Sequence, residues 1–128
     1  MATKSAWLIL TFAAALLVTG IPYWQPAYNV LQLPEGLLGP GALFVLLLAG
    51  FCRIFAPAGT LAVTGVVTAA MVAVVVVRIE ADTAIDPTAH NLMPFEIVIA
   101  VFVGLVLGLA GAGGALAVRA LLRLAQRS

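Results

Sequence analysis

Residues 54–77 read IFAPAGTLAVTGVVTAAMVAVVVV, twenty-four consecutive positions without a charge, closed on one side by Arg53 and on the other by Arg78. In water the valines of its second half would favour a strand. The run has no two-residue alternation, which argues against a barrel strand. A hydrocarbon environment demands that each segment satisfy its own backbone, and a helix does so. A spanning helix needs roughly 20 apolar residues, because it rises about 1.5 Å per residue through a core of about 30 Å. This stretch meets that length outright.

The same reading extends outward. Thirty uncharged residues separate Lys4 from Glu35, seventeen separate Glu35 from Arg53, and twenty-two separate Glu96 from Arg119. The whole chain has 128 residues, of which 64% are hydrophobic and 9% charged. Soluble domains carry about 25% charged residues, so this chain lacks the polar surface to meet water on all sides. Its net charge of +1 offers no footprint for nucleic acid. The expected fold class is an all-α integral membrane protein, one domain over 1–128, built as an antiparallel bundle of four transmembrane helices.

Breakers and charges set the expected bounds. The first helix covers about 6–21, ended by Gly20 and Pro22. The second covers about 38–55, with Pro40 in its first turn and Arg53 snorkelling to the interface. The third covers about 57–77. The fourth covers about 94–118 and runs on to about 122, with Pro94 and Glu96 at its positive end. The few residues from Arg53 to Pro57 predict that helices two and three are antiparallel neighbours. Lys4, Arg53, Arg119, Arg123 and Arg127 fall on one side and Arg78 on the other, so both termini are expected in the cytoplasm. The outer loops are then about 22–37 and 78–93, in a bacterial-type inner or plasma membrane. Residues 1–20 also carry a signal-peptide pattern, although Ile21 and Pro22 after Gly20 suit cleavage poorly.

Small residues mark expected packing faces. Gly104, Gly108, Gly111 and Ala115 form a stripe on the fourth helix, and Gly65, Ala69 and Ala73 form another on the third. Helices in lipid gain from close backbone approach. The first expectation is packing within the monomer; the sharper one is that the fourth helix, 94–122, meets a membrane partner or a second copy.

Chemistry is sparse. There is one cysteine, Cys52, and one histidine, His90, with no HExxH, Walker loop or GxSxG. No ionisable side chain is expected at mid-membrane, which argues against a self-contained ion-coupled transporter. Neither catalysis nor a cofactor is expected. The second outer loop holds Glu80, Asp82, Asp86 and His90, with Glu96 just beyond, and is the candidate partner or ligand loop. Within it Asp82, Asp86 and His90 are candidate metal ligands, although their spacing matches no known signature. Trp7, Tyr23, Trp24 and Tyr28 are read as interface aromatics. The leading functional expectation is a non-catalytic accessory or structural subunit of a membrane complex. A homo-oligomeric channel or transporter for a neutral or weakly charged solute ranks second, and an outer metal-dependent or enzymatic site in 78–96 ranks third.

Overall fold

A computed structural model describes residues 3–25, 37–56, 58–88 and 93–128. It is an all-α bundle of α1 (Lys4–Trp24), α2 (Pro40–Phe55), α3 (Thr60–Ile85) and α4 (Met93–Arg127). At 1.5 Å per residue α1, α3 and α4 are about 32, 39 and 52 Å long, enough to cross a core of about 30 Å. All three are apolar enough to do so. The 16-residue α2 reaches only about 24 Å.

Three helices outrun their expected ends. The first does not stop at Gly20 and Pro22 but continues to Trp24 with Pro22 inside it. Proline lacks the N–H that would bond the Val18 carbonyl, four residues back. At that carbonyl α2 comes close: a Cβ added to Gly41 would stand 2.9 Å from the Val18 oxygen. The third helix runs to Ile85 rather than Val77, so the first half of the supposed second outer loop is helical. It begins at Thr60 rather than 57, behind an extended Gly59. The fourth passes Gly113 and Gly114 without interruption and ends at Arg127.

The contacts fix the directions of the helices. Gly104 faces Thr68 and Gly108 faces Thr64, so α3 and α4 are antiparallel. Gly111 faces Leu46 and Ala49, and Arg119 reaches Ile54, so α2 and α4 run the same way. Trp7 stacks at 6.1 Å on Phe51 while Val18 meets Gly41, so α1 and α2 are antiparallel. Around the bundle the order is α1, α2, α4, α3. Helices α2 and α3 lie on a diagonal and touch least, despite the short link between them. The expectation that they are neighbours therefore fails, because the glycine face of α4 draws both helices onto itself.

This arrangement separates the charges. Lys4, Arg53, Arg119, Arg123 and Arg127 sit at one end of the bundle; Arg78, Glu80, Asp82, Asp86 and Glu96 sit at the other. Between them lies a core mostly of small and β-branched side chains, including Ala15, Val45, Ala49, Val63, Val67, Val74 and Ala100, with the longer Met71 among them.

Close approach is tightest along α4. A Cβ on Gly104 would lie 2.5 Å from the Thr68 Cα, and one on Gly108 2.8 Å from the Thr64 Cα. Backbone cannot yield as a flexible side chain can, so even a methyl group forces the helices apart. Gly65 has no neighbour within 4 Å of such a Cβ. Gly104→Ala should therefore lower stability by about 1–3 kcal/mol, whereas Gly65→Ala leaves it unchanged or slightly raised. Unfolding of both variants in detergent micelles checks the contrast.

Candidate functional site: a buried arginine at the acidic end

The densest polar constellation joins the C-terminal ends of α1 and α3. The last carbonyls of any helix lack intrahelical donors and need partners from elsewhere. Arg78, the residue directly after the valine run, supplies them for α1. Its Nη1 donates to the Trp24 carbonyl at 2.9 Å and, at a longer 3.4 Å, to the Tyr23 carbonyl. Its Nε donates to Asp82 Oδ2 at 2.7 Å, a short charge-assisted bond one helical turn along. Trp24 returns the tie: its indole Nε1 donates to the Val74 carbonyl at 2.9 Å. Arg78 is only 6% exposed. Helix α1 carries no basic residue in its own last turn, so the cation facing its negative dipole end comes from α3.

An open cleft of about 420 Å³ lies beside this clasp, lined by Trp24, Gln25, Val77, Arg78, Ala81 and Asp82. The guanidinium in it is already committed to one carboxylate and two carbonyls. Such a group holds geometry well and moves protons poorly, because arginine stays charged.

The other candidates of the acidic end are spread out. Glu80 is exposed on α3, and Glu96 is half-buried in the first turn of α4. Asp86 ends α3 in an extended conformation and is bound up in its own turn. Its Oδ1 accepts from the Thr88 N–H at 3.0 Å and from Thr88 Oγ1 at 2.7 Å. These two bonds hold the Asp86 carboxyl below the usual aspartate pKa. Among the described residues no three His, Cys, Asp or Glu side chains come together in a way that would hold a metal ion. His90 and Tyr28 lie outside the described residues.

The aromatic residues divide. Tyr23, read as an interface side chain, is 2% exposed and belongs to the core, because α1 stays helical past Pro22 and turns it inward. Trp24 is half-buried and hydrogen-bonded as above. Trp7 sits half-buried at the basic end, and Phe51 beyond it stacks on Phe55 at 4.6 Å.

At the basic end two further arginines tie helix ends. Arg53 Nε donates to Thr60 Oγ1 at 3.1 Å, clipping the turn between α2 and α3. Arg119 Nη2 donates to the Ile54 carbonyl at 3.2 Å, capping α2 from α4. Sequence reasoning placed Arg53 at the lipid surface and gave Arg78 no partner. The signal for Arg78 was the Arg78–Asp82 spacing of four, which pairs two side chains only if the helix continues past Val77. The small residues also divide between two faces. Gly104, Gly108, Gly111 and Ala115 are buried inside the bundle, whereas Gly65 and Ala69 look outward and Ala73 is half-buried.

No protein-family model matches the chain, and neither a curated protein nor a solved structure is significantly similar to it. The class therefore rests on the fold and the composition. This is a small multi-pass helical membrane protein whose sequence carries none of the common catalytic motifs.

Removing one partner from a buried ion pair typically costs about 3–5 kcal/mol. Arg78→Met takes from Asp82 and two carbonyls the bonds that the guanidinium supplies and should lose stability on that scale. Arg78→Lys should be intermediate, because an ammonium cannot match the planar fork. Denaturation in micelles ranks the three proteins. A second expectation concerns Asp86. A depressed carboxyl pKa means that the turn is favoured above the ordinary aspartate range and loosens as pH falls through the depressed value. Thr88→Val removes one of the two donors and should raise the Asp86 titration midpoint, which NMR of the side-chain carboxyl reads directly.

Proposed function

We propose that this protein is a non-catalytic accessory or structural subunit of a membrane complex, and that it offers its partner the outward face of α3. The observation that carries this reading is the stripe Leu61, Gly65, Ala69, Ala73 and Val77, spaced by four. Leu61 is 85% exposed, Gly65 opens onto empty space and Ala69 is exposed. Small residues at this spacing allow a second helix to approach closely in lipid, where packing rather than the hydrophobic effect drives association. The interior stripe on α4 is used up within the bundle, so α3 replaces α4 as the partner-facing helix.

The use of the polar side chains supports the same reading. Arg78, Asp82, Arg53, Arg119 and Asp86 each tie a helix end or a turn. Chemistry spent on fixing helix ends suits a component whose work is to present a rigid surface. In this reading all four helices cross a bacterial-type inner or plasma membrane. The shorter α2 is served by local thinning and by Arg53 at its end. The five basic residues face the cytoplasm, as their excess over the single Arg78 predicts.

Purification of the full chain from native membranes in a mild detergent tests the proposal. A second polypeptide should co-purify at fixed stoichiometry. Ala69→Leu, which adds bulk on the outward face, should release it while leaving the melting temperature of the purified chain unchanged. A chain that purifies alone, or a complex indifferent to Ala69→Leu, contradicts the reading.

A further inference from the structure

The other unpartnered surface lies between α2 and α4 and is built differently. An apolar groove of about 360 Å³ runs between the two helices, walled by Leu47 and Phe51 and floored by Gly50 and Gly114. Towards the basic end it meets a second cavity of about 240 Å³, lined by Ile54, Val118, Arg119, Leu122, Arg123 and Gln126. Ile54 and Val118 border both, so the two adjoin along α4 as an open α2–α4 channel, greasy at one end and cationic at the other.

The cationic end is shaped before anything binds. Arg119 is half-buried and held against the wall by its bond to the Ile54 carbonyl. Arg123 lies one turn further along α4, exposed. Among the described residues neither has a carboxylate partner, and the described acids stand at the opposite end of the bundle. Two guanidinium groups one turn apart, with the Gln126 amide beside them, match a phosphodiester, which arginine binds through paired N–H donors. From Ala110 to Val118 the apolar part extends about 12 Å along α4, parallel to a lipid chain. Basic pockets between membrane helices recognise anionic headgroups in this way.

We infer that the α2–α4 channel is a binding site for one anionic phospholipid, with an acyl chain over Gly50 and Gly114 and the phosphate at Arg119 and Arg123. Charge complementarity selects the occupant: a neutral partner helix would leave both arginines without a counter-charge. The site shares no residue with the outward face of α3, so it stands or falls apart from the proposed partner surface.

The glycine floor provides a clean variant. A Cβ at Gly114 meets nothing within 4 Å, so Gly114→Phe enters the groove with no clash at its Cβ. Arg123→Gln removes a charge that holds no other part of the described protein. Native mass spectrometry of the full chain in detergent, titrated with phosphatidylglycerol or with phosphatidylcholine of the same acyl length, reads both. The wild type should bind one phosphatidylglycerol about tenfold more tightly than phosphatidylcholine. Arg123→Gln should erase most of that preference. Gly114→Phe should weaken both lipids while keeping the lipid-free melting temperature and circular dichroism of the wild type. Equal affinity of the wild type for the two lipids overturns the site, as does a preference unchanged by Arg123→Gln. So does a wild-type dimer that Gly114→Phe converts to a monomer, since the channel would then hold a second copy.

Discussion

Burying a guanidinium at a membrane boundary is costly unless its donors are met, and Arg78 meets that condition only in one arrangement of helices. Its Nε needs Asp82, which requires α3 to stay helical for another turn past Val77. Its Nη1 needs the terminal carbonyls of α1, which requires α1 to run through Pro22 to Trp24. The Trp24 indole bond to Val74 then fixes α1 in depth against α3. Helix length, helix depth and the parallel pairing of α1 with α3 are thus coupled through one side chain. The burial of Tyr23 follows from the same extension of α1.

The remaining contacts obey the logic of packing without water. Lipid tails are as apolar as leucine, so helices adhere where their backbones come close enough for dispersion and fit. The glycines of α4 permit this on two sides, against Thr64 and Thr68 of α3 and against Leu46 and Ala49 of α2. Helix α4 therefore joins α2 to α3, and these two end up diagonal although only a few residues link them. Arg119 and Arg53 finish the basic end by closing the open carbonyls and the turn of that short link.

The composition and the uncharged stretches made the membrane class and the helical bundle legible from the sequence alone. They did so because the length of an uncharged run and the thickness of a bilayer are directly comparable. Helix ends were not legible. Proline at position 22 is a stop signal in local propensity and Arg78 only closes the uncharged run, yet a tertiary contact carries both helices onward: Arg78 satisfies the very carbonyls left by extending α1. Side-chain roles went astray with the ends. Arg78 was read as a lone outer cation and Tyr23 as an interface ring, because each reading assumed that its helix had already finished. The glycine stripe of α4 could be seen as a face, but not which neighbour it would meet. The outward direction of Gly65 and Ala69 depends on which side α1 and α4 occupy, which no spacing within α3 reveals.

A protein organised in this way has rigid helix ends and two distinct outward surfaces, one of small residues on α3 and one channel ending in arginines. Arg78, Asp82, Arg53, Arg119 and Asp86 tie helix ends or turns, and the proposed contacts fall on the two outward surfaces. That account depends on the Arg78 clasp, and hydrogen–deuterium exchange compared between the wild type and Arg78→Lys tests it most directly. If the clasp couples the two ends, peptides covering 18–25 and 76–85 lose protection together while those within α2 and the glycine segment of α4 keep theirs. If the last turn of α1 stays as protected in the variant as in the wild type, Arg78 does not hold that helix end and the central claim is wrong.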